Sequence, residues 1–412
     1  MMFWKKQQTF LPGILLIFVI AAFHMQMTWD GDDLWYMGRN LSFDWLAYRY
    51  AHWSSRLLID TAILLFVKTF GLMAWRIVDT CVAWLCCRLL VYFACPSEHQ
   101  GFGMWCMLGS LFLFPLSILH TAGWGATMIN YLWPGTALLV ALLPLRRYAI
   151  GRSIPPWLVA ISLLALAFAL DAEQAWLIFL MLWILFIAIC KERSIRRLLL
   201  VQGIMVMVAA ACIFLCPGNA FRYEIAVYGC WPDFATVSLL DKGVLAFCNM
   251  GVFFLVQDRL LILLTLALAF VIWKVRHDAF LRVVGFLPLV CKIGVMIWGR
   301  GWGQQQIVTP LTFDQIAAYV PLVVSVLFFV SLALGIWILF GQGCQAACLL
   351  WLFLAGCASS LSLALSPTLF ASAGRIFFFQ YLVFFIILLR ILNVWHLLHL
   401  WPICDKMEHE VH

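Results

Sequence analysis

Charge is what this sequence has least of. Asp, Glu, Lys and Arg make up only 11% of its 412 residues, while 65% are hydrophobic. A soluble domain carries about 25% charged and roughly 45–50% apolar residues. The chain therefore lacks the polar surface to wrap a water-facing fold, which excludes an ordinary soluble enzyme, a disordered protein and a fibrous repeat. Strand-type alternation is missing as well: the apolar stretches run on without a polar residue at every second position, which excludes a membrane barrel. What remains is an all-α, polytopic integral membrane protein.

Other absences narrow the function. The net charge is +7, yet no run of five or six like charges exists, so no nucleic-acid partner is expected. The 15 cysteines are odd in number and mostly sit inside apolar stretches, reading as small packing residues rather than a disulfide framework. Cys212/Cys216 and Cys344/Cys348 are four apart, not at zinc spacing. No nucleophile elbow or paired zinc-ligand helix is present. Gly299, Gly301 and Gly303 follow no strand, so they make no phosphate loop. His396 and His399 have no acidic third ligand nearby. No small-x-small cleavage site follows the apolar run after Lys5 and Lys6, so that run reads as a retained first span. No repeat, linker or low-complexity tract is visible, and residues 1–412 read as one domain.

Apolar spans are expected at about 10–27, 76–95, 104–119, 131–145, 157–170, 174–190, 198–216, 255–273, 283–298, 317–340, 345–365 and 376–394. Residues 57–71 are apolar enough to add another, but Asp60 and Lys68 interrupt them. A charge at mid-membrane costs roughly 2.5–3.5 kcal/mol on insertion scales. Either 57–71 is interfacial or re-entrant, or one of the spans between 76 and 119 does not cross, and the count is 12 or 13. The basic clusters Lys5-Lys6, Arg146-Arg147-Arg152, Lys191-Arg193-Arg196-Arg197 and Lys274-Arg276-Arg282 belong in the cytoplasm. The loops 28–56, 120–130, 171–173, 217–245, 299–316 and 366–375 then lie outside. Segment 44–53, DWLAYRYAHW, reads as an amphipathic helix on the outer face.

The polar residues gather in those outer loops. Asp30, Asp32 and Asp33 follow directly on the first span. Three carboxylates so close repel one another, and one of them is suited to act as a general base or to hold a divalent cation. A solvated acidic turn bent at Gly31 is the plain alternative. Arg56, Arg222, Arg300 and Arg375 lie at outer span ends, against the positive-inside bias, which suits an anion such as a phosphate. Pairing with lipid headgroups or with the aspartates would also explain them. Glu173 occupies a short outer turn, and Asn130-Tyr131 opens a span from outside. A helix cap and an interfacial helix start are their structural alternatives.

Taken in order, these are an acidic pair (Asp32-Asp33), a W-x-x-R element (Trp53 to Arg56), N-Y-x-W-P (130–134), a single acid (Glu173), P-G-N-x-x-R (217–222, with Asn219) and a late arginine (Arg375). The pattern resembles the bacterial polytopic glycosyltransferases of the GT-C superfamily, closest to O-antigen and cell-wall-polymer glucosyltransferase-like proteins. The resemblance implies a GT-C-like bundle with amphipathic helices in its outer loops, set in the bacterial cytoplasmic membrane with its site facing out. It also implies a sugar donor on a polyprenyl phosphate, usually undecaprenyl phosphate, and a cell-surface glycan or glycolipid acceptor. An aspartate of the first outer loop would be the base: Asp32 or Asp33 ahead of Asp30. Arg222 and Arg375 would hold the phosphate, with Arg56 and Glu173 in support. No cofactor is required, and whether a metal takes part stays open. Competing expectations are a transporter or flippase of a lipid-linked or anionic solute, and a polysaccharide polymerase or ligase.

Overall fold

The structure, a computed structural model, describes residues 2–298, 319–341 and 343–409. Arg300 and the three-glycine segment around it lie outside the described residues. In a hydrocarbon layer each backbone N–H and C=O has to pair within its own segment, which selects helices. Among the described residues there is no strand, only one isolated bridge between Thr121 and Gly123.

In chain order, α1 (Met2–His24) leads to the short α2 (Asp32–Met37) and to α3 (Phe43–His52). The Ser42 hydroxyl caps α3 by accepting from Trp45 N at 3.1 Å. α4 (Leu57–Leu64) passes through a π turn, Leu65–Phe70, into α5 (Gly71–Ala94), so that Leu57–Ala94 is one apolar run of 38 residues. Lys68 donates to Met37 O at the end of α2 and Arg76 to Met27 O after α1, and Gly71 bends the chain at φ 81°, so 57–71 stays at the end of the bundle where α1 ends, as the interfacial alternative expects, and adds no crossing of its own. The next expected span, 104–119, is helical as α6 (Gln100–Leu111) and then breaks before a 3-10 turn at Leu116–Leu119. α7 (Trp124–Ala141), α8 (Leu143–Ala149), α9 (Pro156–Ala169), α10 (Glu173–Ile189) and α11 (Arg193–Phe214) follow, then α12 (Pro217–Cys230). Proline opens both α9 and α12, where its missing N–H would be unpaired anyway.

The stretch 217–245, expected as an outer loop, is largely helical. Its second part begins α13 (Leu239–Val252), which continues through a π turn to Gln257, breaks at Asp258 and resumes as α14 (Leu260–Val275). α15 (Ala279–Trp298), α16 (Val320–Phe340), α17 (Cys344–Leu361) and α18 (Phe378–His409) complete the chain. Among the described residues, eight helical segments are long and apolar enough to cross a membrane, and four shorter apolar helices accompany them. The chain is an all-α, multi-pass membrane protein.

The helix at Gly374–Leu397 is 89% buried, far more than the others, which makes it the centre of the bundle. Being apolar on every side, it can be surrounded completely. Its Phe377, Tyr381 and Phe384 pack against Phe254 from the break in α13.

The two ends of the bundle differ in charge. At one end, Arg276 donates to Ile338 O at 2.5 Å, Arg390 to Phe93 O at 3.2 Å and Arg196 to Cys190 O at 3.1 Å. The basic clusters therefore gather around the ends of α5, α10, α14 and α16. The opposite end holds the end of α1, α2, α3, the start of α7, the α9–α10 turn, α12 and residues 366–377.

Candidate functional site

At that second end the first loop is docked on the turn before α7. Asp32 N donates to Ala122 O at 2.9 Å, and Gly31, at φ 50°, lies against the Ala122–Gly123 backbone. This contact sends the three aspartates in different directions. Asp33 is fully buried; its Oδ1 accepts from Ala126 N at 2.6 Å and its Oδ2 from Gly125 N at 3.1 Å. It caps the N-terminus of α7 from another segment, satisfying amides that have no partner within the helix. Burial pushes its pKa up to about 6, against the pull of the Ala126, Gly125 and Asp30 amides. Asp30 pairs with His120 Nε2. Asp32 is exposed and projects from the first turn of α2. Partial burial raises its pKa, while the positive charges of Arg375 and Arg49 pull it down. Mutual repulsion is thus relieved by divergence. Among the described residues no group of three metal-ligating side chains comes together.

The expected basic and acidic residues from distant loops do meet. Arg56 Nε donates to Glu173 Oε2 at 2.7 Å, and its Nη1 donates to Asn130 Oδ1 at 3.1 Å. Asn130 Nδ2 donates to Ala126 O at 2.7 Å, so one turn of α7 serves both Asp33 and Arg56. Arg222 Nη2 lies 3.7 Å from Glu173 Oε1. Two guanidiniums share one carboxylate, leaving a surplus positive charge on a half-buried surface. Burial opposes the charge on Arg56, but Glu173 outweighs it and the pKa rises; for Arg222 burial prevails and the pKa falls. The Tyr131 hydroxyl lies within electrostatic reach of both. Asp171, next to them, accepts from Ile59 N at 2.9 Å, and burial lifts its pKa to about 7.

Arg375 sits in a 3-10 turn, Ala373–Phe377, that packs on Leu116–Leu119. Gln174, beside Glu173, donates to Ile376 O at 2.8 Å and ties this turn to the Arg56–Glu173 cluster. Arg375 Nε is buried and finds no acceptor among the described residues. Asn219 and Trp53 are scaffolding by contrast. Asn219 Nδ2 donates to Ile213 O at 2.7 Å, closing the end of α11. Trp53 ends α3, its backbone lying against Gly218 of α12 and its ring 5.6 Å from the Arg49 guanidinium.

Beneath this rim lies an apolar groove lined by Phe23, Met27, Leu111, Leu119, Phe378 and Phe385 among others. Phe23 and Phe112 remain exposed on the flank of the bundle, where the groove opens sideways. Its upper wall is continuous with the polar rim: Met27 precedes Asp30, Leu119 precedes His120 and Phe378 follows Arg375.

The pairings of three polar groups escaped the sequence reading, which names only Asp60 among them. Asp60, which seemed costly within an apolar run, is paired with Arg49 at 2.8 Å and accepts from Tyr36 OH at 2.5 Å. Asp79 is fully buried between His24 Nε2 and Trp133 Nε1, each at 2.5 Å. Lys292, also fully buried, donates to Phe254 O at 2.7 Å and Leu255 O at 2.8 Å, carbonyls freed where α13 breaks. A lone charge in an apolar run signals that a partner exists, but its identity comes only with the fold.

Fold and rim together define a polytopic helical membrane protein with an ionisable site at one end and a lateral apolar groove below it. Compared with known protein families, curated proteins and solved structures, the chain matches none.

Proposed function

We propose that the protein is a membrane glycosyltransferase of GT-C type, moving a sugar from a polyprenyl-phosphate donor to a glycan or glycolipid acceptor. The observation that carries this reading is the apolar groove whose lining includes Met27, Leu119 and Phe378, each within three residues of a rim group, Asp30, His120 and Arg375 respectively. A polyprenyl chain enters from the bilayer and lies in the groove, which places its phosphate at the rim. Arg375, with an unsatisfied Nε–H, meets the anion there, and the surplus charge of the Arg56–Glu173–Arg222 cluster supports it. Fixed guanidiniums act more strongly in a partly dry site than in bulk water. Asp32 is the base, because it alone of the three aspartates has no fixed protein partner and is open to an acceptor hydroxyl. Asp33 holds the loop. The site then faces the outside of a bacterial cytoplasmic membrane, with the basic clusters inside.

A transporter or flippase is the second reading, favoured by the polar groups at mid-bundle and the broken α13–α14 helix. Lys292 gives two of its three N–H donors to carbonyls freed at the break, which favours a structural role there. The test is purified full-length protein in nanodiscs with a panel of polyprenyl-phosphate sugars and candidate acceptors. Release of free lipid phosphate with formation of a glycoside is expected. Movement of the intact lipid-linked sugar across vesicles, without product, would establish the transporter instead.

A further inference from the structure

His120 is a half-exposed ring held in a defined orientation. Its Nε2 pairs with Asp30, its face stacks on Trp124 with centroids 4.4 Å apart, and Nδ1 engages no group among the described residues. The preceding residue, Leu119, lines the groove, and the turn carrying Arg375 packs on the same 3-10 segment. The ring thus stands where the headgroup of a lipid seated in the groove would lie. A carboxylate on one ring nitrogen and an open second nitrogen is the arrangement by which an imidazole is set up to move a proton.

We propose that His120 is the general acid of the transfer, a proposal that rests on the glycosyltransferase reading. The acceptor oxygen bonds to the anomeric carbon as the bond from that carbon to the phosphate oxygen breaks, its electron pair leaving on the phosphate. The acceptor proton goes to Asp32, and the Nδ1 proton of the His120 imidazolium goes to the departing phosphate. A proton passed from the Asp32 carboxyl to the His120 imidazole through water restores both groups. Asp30 is a positioning residue that fixes the ring. The titratable groups on the elements packed around His120 are Asp30, Asp32, Asp33 and Arg375, while the first turn of α7 presents Trp124.

The test uses full-length protein with ¹⁵N-labelled histidine in nanodiscs, with undecaprenyl phosphate as the probe. The His120 signals are assigned by their loss in His120→Gln. On saturation, followed by the ³¹P signal, Nδ1 is expected at the protonated shift. A ³¹P change with Nδ1 still bare overturns the proposal and leaves the glycosyltransferase reading standing. No ³¹P change at any concentration overturns both. In the transfer assay, His120→Gln should lower kcat about 10²-fold, the low end for general acid catalysis, and lose the alkaline limb of the pH profile, with donor KM little changed. Wild-type kcat with that limb intact counts equally against the proposal.

Discussion

Three neighbouring carboxylates illustrate how position divides labour among identical side chains. Asp33 is consumed by two α7 amides, Asp30 by His120, and Asp32 is left without a side-chain partner among the described residues. Substitution should separate them. Asp32→Asn removes the proposed base and should cut turnover by about 10²-fold or more while leaving thermal unfolding unchanged. Asp33→Asn keeps one acceptor and loses the other, so it should destabilise the docked loop by roughly 1–3 kcal/mol, the cost of an unsatisfied buried donor, and retain measurable turnover. Equal turnover in Asp32→Asn and wild type would place the base elsewhere. The pH profile adds a signed check. Asp32 must be ionised to act, so activity falls as pH drops through its pKa. Burial raises that pKa and Arg375 lowers it. Arg375→Gln should therefore move the acid limb to higher pH, on top of any loss in rate. An unmoved or lowered limb would mean that the two groups do not share a site.

At the scale of elements, the first two turns of α7 organise the site. They bind Asp33 through the Gly125 and Ala126 amides and Arg56 through Asn130. Docking depends on Gly123, whose φ of 98° suits no L side chain and whose Cβ would run into Asp30 O and the Asp33 carboxylate. Gly123→Ala should cost about 1–3 kcal/mol in backbone strain alone and free residues 28–42 to proteolysis under native conditions. An unchanged cleavage pattern would show that the loop is held by other contacts. The sequence made much of this end of the bundle legible. Trp53 to Arg56, Asn130, Glu173, Arg222 and Arg375 stand out because polar residues at the ends of apolar runs are conspicuous. Their convergence was an expectation about loops sharing one side, and the contacts among Arg56, Asn130, Glu173 and Arg222 give it a geometry. His120 was invisible, since a single histidine in a loop carries no pattern. The passage from α13 to α14 was misread for a related reason. Hydropathy registers where apolar residues are, whereas the break at Asp258 depends on Lys292, 34 positions away in the sequence.

For the molecule as a whole, the basic clusters at one end, facing a rim of mixed charge at the other, carry the orientation that the proposed function requires. Lys and Arg are retained on the cytoplasmic side during insertion, and acidic residues carry little of that signal. Arg146, Arg196, Arg276 and Arg390 gather at one end; Asp30, Asp32, Glu173 and the groove mouth occupy the other. The protein carries its own reporters of which end is which. Cys230 is exposed at the end of α12, on the same rim as Arg222, and Cys344 is exposed at the start of α17, just beyond the Ile338 carbonyl that binds Arg276. In intact cells a membrane-impermeant maleimide should modify Cys230 and spare Cys344, with both modified after permeabilisation, as read by peptide mass mapping. The inverse pattern would put Asp32 and Arg375 in the cytoplasm. A sugar donor presented on the outer leaflet would then be out of reach, and the cationic end would face an exterior for which its charge is unsuited.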